Sequence, residues 1–212
     1  MEPRSRILNA LKHKKKSVTV ISNGLFMGNI AWAIDLGAVP TSGNLCIAMF
    51  SVDDSVFPWD VFNGWTQQAS LNSGSTGDNY SASKVAVPGD PRYPEFQAGS
   101  NIGSADGAMG GWQFLGAPTV TWGSGICTGG GGTFYTPTIV SDALSYVIIF
   151  TSCEGAAVTG WSPAGFSQWG YYRGSWVGVM TGAMNQPFSM TYTGTPTNGN
   201  MVYLYAVVNW GM

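Results

Sequence analysis

One apolar phrase occurs twice, and it restricts the fold more than any other feature of this chain. Asn44 to Ser51 reads NLCIAMFS and is followed, after a polar stretch, by Asn63-Gly64-Trp65-Thr66. Ser145 to Ser152 reads SYVIIFTS and is followed by Ala164-Gly165-Phe166-Ser167. A single offset of 101 aligns Leu45 with Tyr146, Ile47 with Ile148, Met49 with Phe150, Gly64 with Gly165 and Trp65 with Phe166. Short, near-continuous apolar runs bounded by turn residues are the signature of strands buried on both faces. The phrase therefore reads as one β-unit used twice.

The remaining composition agrees. Charged residues make up 9% of the 212, against roughly 25% in an average globular domain. Thirty glycines and 11 prolines, with no Ala/Glu/Lys/Leu-rich segment at helical spacing, predict an all-β chain with many turns. A surface so poor in charge does little to keep free copies apart and suits a protein that ends in an assembly. The charge that exists is uneven. Arg4, Arg6, Lys12, Lys14, Lys15 and Lys16 stand against Glu2 alone, so residues 1–16 carry about +5. Residues 17–212 hold Lys84, Arg92 and Arg173 against ten acids, about −7. The expected organisation is a basic N-terminal arm, 1–16, on an acidic β-sandwich domain, 17–212. Ile7, Leu8 and Leu11 could start a short helix in the arm, one too short to persist alone in water.

Cys46, Cys127 and Cys153 are too few and too scattered for a disulfide framework, and no Cys/His spacing suggests zinc. A Cys127–Cys153 bridge stays open, whereas Cys46 reads as a buried thiol in an apolar strand. The basic stretch before VTVISNGLFMGNIAWA has the outline of a signal peptide, but Ser22-Asn23-Gly24 and Gly28-Asn29 interrupt its apolar part. No run of 18 apolar residues suggests a membrane span.

Along the chain, strands are expected at 17–22, 29–36, 44–51, from Gly64 onward, at 80–87, 112–115, 118–122, from about 144, and at 175–181, 188–193 and 201–208. Segments 70–79, 88–111 and 123–132 read as surface loops, the second as a long excursion of the kind that often carries function. Eight to ten strands in two packed antiparallel sheets give a jelly-roll-like β-sandwich.

Chemistry is sparse. His13, the only histidine, lies inside the lysine run and reads as a solvated cation, not a base. Asp53-Asp54 could supply part of a calcium site, but no further oxygen ligands can be assigned. The glycine run near 123–132 lacks the Gly-Lys-Ser/Thr ending of a phosphate-binding loop and precedes a strand, not a helix. Trp161, Trp169, Tyr171 and Tyr172 could stack on sugar rings or anchor an interface, while Trp65, Phe166 and Trp176 read as core. The arm is the sharpest localised feature. An acidic body would repel nucleic acid, so docking on an acidic protein surface fits both halves of the charge asymmetry.

Val39-Pro-Thr-Ser-Gly-Asn-Leu-Cys-Ile-Ala-Met-Phe50, then Asn63-Gly-Trp-Thr66, then Tyr80-Ser-Ala-Ser-Lys-Val-Ala86 resembles a β-sandwich domain of tailed-bacteriophage virion proteins. Tyr135-Thr-Pro-Thr138, the strand 146–152 and Ser162-Pro-Ala-Gly-Phe166 repeat the pattern, so the resemblance spans residues 36–208. Asn44 stands where that family has Asp, Asn63 interrupts its Pro-x-Gly turn, and Phe166 replaces a Trp. The resemblance implies a non-enzymatic structural protein of the virion, without cofactor or metal. The expectation is a capsid decoration or cement protein on the outer head surface, held to the major capsid protein through the arm, as a homodimer or homotrimer. Neither nucleic acid nor membrane is the expected partner. The alternative is a carbohydrate-binding surface or tail-fibre protein that engages host glycans through Trp161, Trp169, Tyr171 and Tyr172.

Overall fold

The computed structural model describes residues 16–29, 33–52, 64–72, 78–96, 106–128, 132–153, 156–172, 174–194 and 200–210. These form an all-β antiparallel sandwich with thirteen strands and no helix among the described residues. The strands are β1 (Val20–Asn29), β2 (Leu45–Val52), β3 (Thr66–Asn72), β4 (Asp78–Val85), β5 (Asp106–Phe114), β6 (Thr119–Thr128), β7 (Thr133–Ser141), β8 (Tyr146–Ser152), β9 (Ala156–Ser162), β10 (Ser167–Tyr172), β11 (Ser175–Thr181), β12 (Met184–Gly194) and β13 (Asn200–Asn209).

The duplicated phrase is visible in the wiring. The first five-stranded sheet runs β1-β5-β2-β4-β3 and the second runs β6-β13-β8-β11-β10. With β7, β9 and β12 set aside, both follow one rule: first, fifth, second, fourth, third strand of the unit. Register repeats too, since Leu45 pairs with Val85 and Phe114 while its counterpart Tyr146 pairs with Thr181 and Val208. The aligned residues meet across the sandwich. Ile47 and Met49 of β2 share a fully buried cluster with Ile148 and Phe150 of β8.

Each sheet is covered on its other face as well, which explains why β2 and β8 are apolar almost throughout. Over the second sheet lies a third, ordered β7-β12-β9, whose Phe134, Ile139, Phe188 and Met190 pack on Val147, Ile149 and Trp176. Over the first sheet lies a ribbon of two segments joined by the Ala33–Glu95 bridge. Ile34 N donates to the Pro94 carbonyl at 3.1 Å and Leu36 N to that of Arg92 at 3.1 Å. Pro94 has no N–H to return, so the pairing stays short. Ile34, Leu36 and Phe96 thereby close over Cys46, Ala48, Phe50, Tyr80, Ala82 and Met109.

Three local expectations change. The end of the 29–36 strand is one leg of this ribbon and not a sheet member. The 88–111 excursion ends in β5, a fully internal strand between β1 and β2. Its glycines concealed it, and the ribbon requires one of them: a Cβ on Gly111 would lie 2.5 Å from the Asp35 carbonyl oxygen. Gly24, paired with Gly111 in register, meets the same oxygen at 2.6 Å. The glycine run from 123 begins inside β6, where Gly123 and Gly125 sit opposite Tyr205 and Tyr203, whose near-parallel rings occupy the space a Cβ would need. Cys127 and Cys153 are unbridged, and all three thiols are buried.

Candidate docking site

Lys16, the first described residue, marks where the arm meets the body. Two backbone hydrogen bonds hold the next turn of chain: Val18 N donates to the Leu144 carbonyl at 3.2 Å and Leu115 N to that of Thr19 at 2.9 Å. Val18 and Val20 pack against the inter-sheet core. The arm root is thus fastened to both sheets.

Beside it opens a groove of about 360 Å³ lined by Lys16, Thr19, Asn44, Leu115, Gly116 and Trp210. The Lys16 ammonium lies 5.5 Å from the Trp210 ring centroid, a cation–π contact worth about 0.5–1 kcal/mol at an exposed position. Leu115 is 55% exposed. Gly116 has a φ of +67°, and a Cβ there would come within 2.8 Å of the indole, so glycine is needed twice over.

A buried amide network fixes the floor. Gln113, fully buried, accepts at Oε1 from Thr41 N at 2.9 Å and Asn44 Nδ2 at 2.8 Å. Its Nε2 donates to Ser22 Oγ at 3.2 Å, and that hydroxyl donates to the Leu36 carbonyl at 2.7 Å. Asn44 Oδ1 accepts from Gly116 N at 2.9 Å. An aspartate at 44 would set a carboxylate against Oε1, so this network has a physical reason for asparagine. The sequence offered no signal for Trp210, Leu115 or Gln113, because each lies outside the arm in the chain and joins it only through the fold.

Chemically, the groove offers an indole and a leucine as an apolar wall, a cation at the rim and a rigid floor. It suits a segment that brings a carboxylate to Lys16 and an apolar side chain to Trp210. Arg4, Arg6, Lys12, Lys14, Lys15 and His13 lie outside the described residues, as do the helix expected around Ile7 and the Asp53-Asp54 pair.

Of the aromatic candidates, Trp161 and Trp169 pack on different clusters. Trp161 is half-buried, donates through Nε1 to the Phe166 carbonyl at 3.1 Å and packs 5.3 Å from Trp176. Trp169 lies against Trp112, ring centroids 4.9 Å apart, on the inter-sheet core. Tyr171 and Tyr172 pair through their backbones with Trp176 and Ser175, and their side chains are outside the described residues. Trp176 and Phe166 are buried and Trp65 packs beneath the ribbon.

A smaller concavity, about 20 Å³, lies under the ribbon among Cys46, Trp65, Lys84 and Asp90. Lys84 Nζ donates to Asp90 Oδ1 at 2.6 Å, and Asp90 Oδ2 accepts from Val87 N at 2.9 Å. Room for about one water and a structural ion pair describe it. Burial pushes the thiols of Cys46 and Cys153 up to about 12 and that of Cys127 up to about 11. Such thiols stay protonated and unreactive. Among the described residues no three His, Cys, Asp or Glu side chains gather to hold a metal, and no helix is long and apolar enough to cross a membrane.

Compared with family models, curated proteins and solved structures, the chain matches none.

Proposed function

We propose that this chain is a non-enzymatic structural protein of a virion, a capsid decoration or cement protein that clamps to an acidic patch of the shell through its basic arm. The observation that carries this reading is the arm root: Lys16 sits on Trp210 at the rim of an open groove. Together with Lys16, the residues that lead into it in sequence supply about +5. A groove with an apolar wall and Lys16 at its rim, entered in sequence by a basic arm, suits an acidic segment, which the arm attracts and the groove seats. The charge-poor sandwich supports it as well, since its exterior is suited to close packing against neighbours on a lattice.

The test is attachment to undecorated shells by the whole protein and by a chain lacking residues 1–15. Deletion is expected to lower affinity at least about tenfold at low salt and to flatten its salt dependence. Equal attachment by the truncated protein overturns the docking role. Trp210→Ala, with the arm intact, should weaken attachment without removing its salt dependence.

A further inference from the structure

The core between the two five-stranded sheets changes character at one end. Along β2, Leu45, Ile47 and Met49 face the second sheet, and strand alternation puts Ser51 on the same face. Its register partners are Asn79 of β4 and Ala108 of β5, which share that face with it. Across the gap the alternation runs from Ile148 and Phe150 to Ser152, and from Val177 to Ser175, whose Oγ donates to Ser152 Oγ at 3.4 Å. The two rungs are opposed because the rung before them is: Gly110 pairs with Met49, and a Cβ on it would lie 3.2 Å from the Phe150 ring. Ser51 and Ser152 are also aligned by the offset of 101, so both copies of the duplicated phrase end in a buried serine.

Ser51, Asn79, Ser152 and Ser175 are each 0% exposed. Among the described residues, neither Nδ2 nor Oδ1 of Asn79 has a hydrogen-bond partner, and Ser51 Oγ has none. An amide brings two donors and an oxygen with two lone pairs, so a bond between Asn79 and neighbouring Ser51 would still leave most of that capacity unmet. Buried polar groups are as a rule bonded, to protein or to ordered water. The rung also has room. Facing sheets lie about 10 Å apart, a gap that Met49 and Phe150 fill one rung away. Two serines, each with a single hydroxyl beyond Cβ, leave the middle of it to a small molecule.

We propose that this rung is an internal hydration site, in which ordered water bridges Asn79 and Ser51 of the first sheet to Ser152 and Ser175 of the second. The chemistry of the rung selects the ligand. It holds amide and hydroxyl groups and no charge, so it takes a small neutral molecule that both donates and accepts, and it offers a metal ion no carboxylate. The site also fixes register: a slip of one residue in β4 would turn Asn79 onto the ribbon face beside Phe50 and Tyr80. It lies at the far end of β2 from Asn44 and the docking groove, and does not depend on what the arm binds.

Magnetic relaxation dispersion of water oxygen, measured on the full chain, counts the waters held inside a protein for longer than its own tumbling. Wild type should hold them, and Ser51→Ala with Asn79→Leu should lose at least about one, since the apolar pair fills the rung and removes its donors and acceptors. Equal dispersion in wild type and the double variant overturns the proposal. Should the double variant fail to fold, a crystal structure of wild type decides. Solvent density within hydrogen-bond distance of Asn79 Nδ2 or Oδ1 supports the site, and its lack there overturns it.

Discussion

The two five-stranded sheets share a strand order yet are closed in opposite ways. The second is roofed by a regular three-stranded sheet, and both surfaces keep full-sized side chains: Trp176 stacks on Phe188 with centroids 5.2 Å apart, and Phe134 on Tyr192 at 4.5 Å. The first is roofed by a ribbon whose backbone rests on Gly24 and Gly111. One roof is built of interlocking side chains and is neutral outside. The other depends on close backbone approach and carries the ion pairs, Arg92 with Asp35 and Lys84 with Asp90. A duplicated core thus gives two unlike exteriors, because only the cover differs.

If the second roof is a packed core, truncating its centre should be the most damaging change. Phe188 is fully buried between Trp176 and Phe166 and donates its backbone N–H to Thr136 Oγ1 at 3.0 Å. Phe188→Ala should cost about 3–5 kcal/mol by urea denaturation, since the surrounding rings are held by two sheets and cannot close the space. Phe96→Ala in the ribbon should cost less, because a ribbon held by few backbone bonds can settle inward. Equal losses would mean that the two roofs are equally rigid.

The first roof should instead fail by overfilling. Gly111→Val places a branched carbon against the Asp35 carbonyl and the Ile34 and Leu36 side chains, and the obstacle is backbone. A loss of about 1–3 kcal/mol is expected, with Trp65 fluorescence shifting as the ribbon lifts. Unchanged fluorescence would show that the ribbon tolerates a thicker floor.

The same contrast accounts for what could be read from residues alone. Strands β2, β8, β11 and β13 were legible because apolar or alternating side chains announce burial. β5 was not, since Gly107, Ala108, Gly110 and Gly111 look like a loop until the ribbon over Gly111 and the Trp112 and Phe150 rings against Gly110 are in place. The third sheet was legible only in part, at 188–193 within β12, while β7 and β9 hid because they interleave with the strands of the second unit. At the candidate docking site the arm was plain from its charge. Its groove was not, because Asn44, Gln113, Leu115 and Trp210 meet only through pairing across the sheets.

The smallest effect should appear at the ribbon's ion pair. Arg92 donates from Nε to Asp35 Oδ1 at 2.8 Å and from Nη2 to Oδ2 at 2.9 Å, and Gly37 N adds a bond at 2.7 Å. Led by the Arg92 bonds, these hold the Asp35 carboxyl below its ordinary value against the opposing pull of burial. A depressed folded-state value means that the pair contributes fully above the unfolded carboxyl's titration, near 3.8, and that its contribution is lost as pH falls through the lower folded value. Both side chains are about a third exposed, 40% for Arg92 and 31% for Asp35, so solvent screens the gain. Asp35→Asn should therefore lower stability slightly at neutral pH and make its decline below pH 4 shallower. The third sheet has no carboxylate to titrate, so acid should raise amide exchange at Leu36 and Ile34 before it does so along β12. Simultaneous loss of protection at both roofs would show that they open as one unit and that their different chemistry does not separate them.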